Sequence, residues 1–273
     1  MPRLAEALRL PTLCAACHAW SRARVCDDCR AVATGTPRLR CRHCALPLPL
    51  PTPGPRPAPP DEPSSGAASA SASASPAPPP LPPASAAPAA PSACGRCLRQ
   101  PPAHATALAA VDYDAPWDRL ITRLKFHDGL DLAPVLADTL LAAIRLHRNP
   151  LPDWVLPAPL GPGRLRERGY NQAWEIARRV AAALGRPART DLLLRPRDGE
   201  RQTALDLAAR AANVRDAYAV DPRRRALLAG RTVAVVDDVM TTGASAEAMA
   251  RTLRAAGAAS VAVWVVARTA EPG

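Results

Sequence analysis

Lysine is almost missing from this chain. Of 35 basic residues only Lys125 is a lysine, and its neighbour Phe126 is the only phenylalanine. Aromatic residues make up 3% of the sequence, and alanine supplies much of the 48% apolar fraction. There is no run of about 18 apolar residues, which excludes a membrane-spanning helix and any membrane insertion. The first residues, MPRLAEALRLPTLC, lack the apolar core of a signal peptide, so a cytoplasmic location is expected. No glycine is followed by lysine anywhere, which excludes the P-loop G-x-x-x-x-G-K-[ST]. Where lysine does occur, in RLKFHDG, its setting hints that arginine will not serve, because a compact point charge and a planar fork are not equivalent.

What is present divides along the chain. The formal charge is +11, which suits polyanionic partners but is also the mark of an arginine-rich, soluble surface. Residues 45–93 hold 17 of the 33 prolines, with serine and alanine between them. Such a tract buries too little surface to offset its ordering, so a disordered, partly polyproline-II linker is expected there. It is an insertion within a cysteine module, residues 1–44 plus 94–103, which is followed by a larger domain, residues 104–273.

All eight cysteines fall in Cys-x-x-Cys pairs: Cys14 and Cys17, Cys26 and Cys29, Cys41 and Cys44, Cys94 and Cys97. Two intervening residues let both sulfurs reach one tetrahedral ion, and four pairs make two four-cysteine zinc sites. A redox role would not explain four copies. Sequential pairing of the knuckles is favoured over interleaved pairing, because zinc ribbons close on neighbours. Four-thiolate sites leave no open position, so the zinc is structural. Eight thiolates and two zinc ions would lower the charge to +7. Residues 1–44 carry 8 basic and 3 acidic side chains, which suits nucleic-acid contact or merely a solvated ribbon.

From residue 105 onward, apolar strands alternate with amphipathic helices, which predicts an open, mostly parallel α/β sheet. Helical spacing covers 115–144 with a break at 127–129, and NQAWEIARRVAAALG predicts a helix over 171–185. Strands are expected at 154–160, 231–239 and 260–268, with a helix over 244–257. The stretch VVDDVMTTGAS combines two features that conflict for a bare phosphate. Asp237 and Asp238 end a strand, at the sheet edge where ligands bind. Thr241, Thr242, Gly243, Ala244 and Ser245 then lead into a helix whose first amides favour an anion. A Walker B strand needs the missing P-loop, and a phosphoacceptor receiver needs a downstream lysine that is also missing.

The paired knuckles, RLKFHDG, LPAPLGPGRLRERGYNQA, RQTALDLAARAANVRDAYAV and VAVVDDVMTTGAS together resemble the ComF family of phosphoribosyltransferase-like proteins. The resemblance implies a sheet of the type I phosphoribosyltransferase kind behind a small zinc-ribbon module. It implies 5-phosphoribosyl 1-pyrophosphate as ligand, bound with Mg²⁺. The 5′-phosphate would lie in Thr241–Ser245 and the ribose hydroxyls on Asp237 and Asp238. Cations for the pyrophosphate would be Arg164, Arg166 and Arg168, on the loop after strand 154–160, with Lys125. Asn171 and Gln172 have a plain role as helix-start residues. Gln202, Arg210, Asn213 and Arg215 fall where similar enzymes keep a mobile loop. The resemblance also implies a part in processing incoming DNA, with single-stranded DNA and competence proteins as partners. The alternative is a non-catalytic adaptor that binds the sugar phosphate and engages its partner through the zinc ribbons.

Overall fold

A short antiparallel hairpin, β1 (Thr12–Leu13) with β2 (Trp20–Ser21), carries Cys14 and Cys17 in its connection, and Cys26 and Cys29 follow on helix α1 (Asp27–Ala33) and its lead-in. The computed structural model describes residues 11–33, 39–49, 93–126, 129–147, 149–196 and 217–270. Most of the Pro/Ala/Ser tract and all of Gln202, Arg210, Asn213 and Arg215 lie outside the described residues. At the near end of that tract Ala45, Leu46 and Leu48 are buried, so the chain remains packed beyond the third knuckle. Helix α2 (Gly95–Arg99) carries Cys97.

The larger domain is built on four strands: β3 (Thr106–Asp112), β4 (Trp154–Pro157), β7 (Thr232–Met240) and β8 (Ser260–Arg268). Two-residue strands β5 (Leu193–Leu194) and β6 (Ala219–Val220) pair separately and antiparallel. The main sheet runs β3-β8-β7-β4, and every pair in it is parallel. Its central strands, TVAVVDDVM and SVAVWVVAR, are covered on both faces and therefore read as near-continuous apolar runs.

Successive side chains of β7 go to opposite faces. Ala234 and Val236 join one core with Ile121 and Leu124 of helix α3 (Trp117–Phe126), Leu136 and Leu140 of α4 (Ala133–His147), and Ile176 and Val180 of α6 (Gln172–Ala183). Val233 and Val235 join the other with Met249 and Leu253 of helix α7 (Ala244–Ala255). Helix α3 ends at Phe126 and α4 begins at Ala133; of the break expected at 127–129, residues 127 and 128 lie outside the described residues. Asn171 caps α6, its side chain accepting the amides of Ala173 (2.9 Å) and Trp174 (3.3 Å).

Three local expectations change. The strand expected over 154–160 stops at Pro157, because neither Pro157 nor Pro159 has an amide to donate to a ladder. The strand expected to end at the carboxylates continues to Met240, since Val239 and Met240 still pair with Ala267 and Arg268. Arg164, Arg166 and Arg168 do not lie on a loop. They form a short helix, α5 (Pro162–Arg168), started by proline and stopped by Gly169 at φ 79°.

The cysteine module sits on the edge of this sheet. The Ala107 amide of β3 donates to the Arg42 carbonyl (2.7 Å), and Arg40 Nη2 meets Asp112 Oδ1 (2.8 Å). A free strand edge is thereby covered. The hairpin end docks separately: Cys14 and Val25 are fully buried in the α3–α4 core, and Arg24 pairs with Asp131.

Candidate functional site

The cysteines gather as Cys14, Cys17, Cys26 and Cys29, and as Cys41, Cys44, Cys94 and Cys97, with all sulfurs of a cluster within 4.8 Å of one another. Pairing is therefore sequential. Cys17 to Cys26 and Cys44 to Cys94 are each 3.7 Å apart, Sγ to Sγ. An ion with metal–sulfur bonds of about 2.3 Å at the centre of a tetrahedron needs an edge of about 3.8 Å. Each cluster can thus hold one metal ion without rearrangement. Burial opposes ionisation of Cys14, but amides of Cys17, Cys26 and Ala16 outweigh it and hold the thiol down at about 6. Cys41 is held down to about 7 against the same burial by amides of Cys94, His43 and Cys44. Amides turned toward sulfur in this way prepare a thiolate ligand.

A cavity of about 580 Å³ opens at the carboxyl ends of β4 and β7. Asp237, Asp238, Lys125, Arg164, Arg168 and Ser245 all line it. The two adjacent carboxylates reach it from opposite faces of β7. Asp238 follows Val236 toward α3 and is 3% exposed. Its Oδ1 takes Lys125 Nζ at 3.0 Å, and its buried Oδ2 has no hydrogen-bond partner. Asp237 follows Val235 toward α7, where its Oδ1 accepts the Asp238 amide (2.8 Å). Burial, and then the charge of Asp238, push the Asp237 carboxyl up to about 7. A smaller hollow of about 50 Å³ joins Asp237 and Ser245 to Thr241 and Gly243. Gly243 takes φ 84°, a left-handed turn that a side chain would strain. Thr242 and Ala244 line neither hollow; the Thr242 hydroxyl accepts the Ala244 amide (3.3 Å).

Helical spacing sorts the arginines. Arg164 and Arg168, one turn apart on α5, line the cavity, whereas Arg166 does not. Arg168 donates to Gln172 Oε1 and lies over the Phe126 ring at 5.1 Å. Phe126 is 65% exposed at the rim. Gln172 thus does more than start a helix, while Asn171 keeps the capping role. The Tyr170 hydroxyl donates to the Leu124 carbonyl and ties the α5–α6 junction to the last turn of α3.

Two lining residues escape sequence reasoning. Arg195 follows β5, and Tyr218 precedes β6. The Arg195 guanidinium lies 5.4 Å from the Tyr218 ring centroid, and its Nε is buried without a partner. The Tyr218 hydroxyl hydrogen-bonds Ser245, and burial raises its proton affinity. This pair puts a cation beside the hydroxyl-rich loop. The faint signal for it was the rarity of tyrosine, of which the chain has 3.

Comparison with known proteins gives the following relatives. The phosphoribosyl transferase domain family matches residues 174–272. The chain is 33% identical to the DNA utilization protein YhgH of Salmonella typhi over 64% of this chain and 78% of that protein. It is 32% identical to the YhgH protein of Escherichia coli K12, with the same coverage. It is 31% identical to competence protein F of Haemophilus influenzae, again over 64% and 78%. A solved glutamine phosphoribosylpyrophosphate amidotransferase from B. subtilis, complexed with ADP and GMP, is 21% identical over 54% of this chain and 30% of that one, with a TM-score of 0.36.

Proposed function

From the premise that this chain belongs to the ComF family, and that its parallel sheet is of the type I phosphoribosyltransferase kind, we propose that the cavity binds 5-phosphoribosyl 1-pyrophosphate and that the protein transfers its phosphoribosyl group. The observation that carries this reading is Asp238. It lines a cavity of ligand size, and one of its carboxylate oxygens is buried without a donor, which is rare in a folded protein. A ribose hydroxyl is the donor it suits. Lys125 holds the other oxygen, so the carboxylate stays aimed.

The remaining groups suit the rest of that ligand. Ser245, the first amides of α7 and the Arg195–Tyr218 pair suit the 5′-phosphate. Arg164 and Arg168 suit the pyrophosphate. Transfer breaks the bond from the anomeric carbon to pyrophosphate and forms one to the acceptor. The carboxylates stabilise the positive charge that develops on the ribose. Burial, and then the neighbouring charge of Asp238, raise Asp237, and the second of these fits a site that also takes a cation. Mg²⁺ bound with the substrate would offset the charge of the leaving pyrophosphate.

The two cysteine clusters hold structural zinc in this reading, as their sulfur spacing suits. No described helix is long and apolar enough to cross a membrane. A cytoplasmic location accords with eight free thiols. The names of the relatives, DNA utilization protein and competence protein F, support a place for this chemistry in the use of incoming DNA.

Calorimetry with phosphoribosyl pyrophosphate and Mg²⁺ tests the site. Binding to the wild type and its loss in Asp238→Asn are expected. Equal affinity in the two, or none in the wild type, overturns the assignment. Pyrophosphate release on adding an acceptor then tests the transfer step.

A further inference from the structure

Arg268 is the last residue of β8, and its side chain is only 2% exposed. Its acceptors come from three parts of the chain. Nε donates to the Cys44 carbonyl at 2.8 Å. Nη1 reaches the Met240 carbonyl at 3.1 Å and the Thr241 carbonyl as well. It also reaches the Thr269 carbonyl at 2.8 Å. A guanidinium so deeply buried persists only where its donors are satisfied, so these carbonyls are held at fixed distances from one another. Cys44 closes the third cysteine knuckle. Met240 and Thr241 open the turn to which the 5′-phosphate is assigned above.

Other contacts run between the same two places. Arg96, between Cys94 and Cys97, donates to the Thr242 carbonyl at 3.5 Å. The Ala103 amide donates to Glu247 Oε2, in the first turn of α7, at 2.7 Å. Ala45 packs in one apolar cluster with Met240 and Ala246. His104 Nε2 lies 2.6 Å from the His43 carbonyl. The cluster of Cys41, Cys44, Cys94 and Cys97 therefore abuts the turn from Met240 to Glu247 through its backbone, a buried cation and an apolar contact. The cluster of Cys14, Cys17, Cys26 and Cys29 makes none of these contacts; it docks against α3 and α4.

We propose that Arg268 is a positioning residue that couples the second four-cysteine site to the ligand loop, so that an ion bound by Cys41, Cys44, Cys94 and Cys97 holds Met240–Glu247 in its binding conformation. Coupling between two binding events is reciprocal, so a ligand on the loop must in turn raise the affinity for that ion. The ligand arm of this inference rests on the phosphoribosyl reading, whereas the loop arm does not.

Hydrogen exchange on the full zinc-loaded chain tests the loop arm with no ligand present. Cys97→Ser, which disables the second site, is expected to speed exchange of the 240–247 amides about tenfold or more. Cys17→Ser, which disables the first, leaves them unchanged. Arg268→Gln reproduces the faster exchange with both zinc ions retained, and Arg268→Lys, which keeps the charge but not the three-sided donor set, gives a smaller rise. Unaltered exchange at 240–247 in Cys97→Ser, or in whichever Arg268 variant folds with two zinc ions, overturns the coupling. In the ligand arm, phosphoribosyl pyrophosphate with Mg²⁺ is expected to reduce the equilibrium transfer of zinc from the second site to a competing chelator several-fold in the wild type, and less so in Arg268→Lys. If calorimetry detects no binding, the phosphoribosyl reading fails and the exchange result alone decides the coupling. If the ligand binds and zinc transfer from the second site is unchanged, the coupling fails.

Discussion

Asp237 and Asp238 share a peptide bond and little else. The alternation of β7 sends one to each face, and their surroundings then differ: a lysine for Asp238, and burial beside a like charge for Asp237. With its carboxyl raised to about 7, Asp237 is largely protonated at pH 6 and ionised at pH 8. Affinity for phosphoribosyl pyrophosphate should therefore strengthen as pH rises through 7, and calorimetry of Asp237→Asn should show a weak, pH-flat response. The stability consequence has the opposite sign. The folded state binds this proton more tightly than the unfolded chain, whose carboxyl titrates near about 4, so its contribution is lost as pH rises from about 4 to 7. Lys125 supports a second prediction. Lys125→Met leaves a 3%-exposed carboxylate unpaired and should cost about 2 to 3 kcal/mol in urea unfolding. Adding Asp238→Asn should recover part of that loss, which a double-mutant cycle measures. The sequence marked Lys125 as an oddity of composition, and the family resemblance offered it as a cation for the pyrophosphate, whereas in the fold it pairs with Asp238. Its partner could not be read, because the last turn of α3 and the end of β7 meet only in the folded chain.

Among the elements, α5 decides which arginines matter. As a loop, GRLRER would leave Arg164, Arg166 and Arg168 equivalent; as a helix it selects the first and third. Arg164→Ala should weaken phosphoribosyl pyrophosphate about tenfold, whereas Arg166→Ala should leave affinity within about twofold, the cost of an exposed helix position. Equal losses in the two variants would return the stretch to a loop. The helix was legible afterwards in its proline start and Gly169 stop, but seven residues carry too little apolar periodicity to announce it. The longer elements were legible beforehand. The helix from Gln172 and the strand from Ser260 to Arg268 lie where their periodicity places them, because each buries a whole face of the core.

For the whole molecule, the second cysteine cluster brings together two knuckles, Cys41–Cys44 and Cys94–Cys97, that the Pro/Ala/Ser tract separates in sequence. Elemental analysis should find two zinc ions per chain. Their removal should lower the thermal midpoint and free the β3 edge, seen as faster exchange of the Ala107 amide now held by Arg42. The sequence alone determined the four Cys-x-x-Cys knuckles, the parallel α/β sheet and the joining of an acidic strand to a hydroxyl-rich turn, while the pairing of the knuckles came from the fold. Each of these is written in residues a few positions apart or in a period that repeats. The tertiary structure alone decided the Lys125–Asp238 pair, the Arg195–Tyr218 stack on the cavity wall, and Arg268 between Cys44 and the ligand loop. Those contacts join single side chains from distant segments, whose meeting is set by strand order and packing and leaves no local pattern to read.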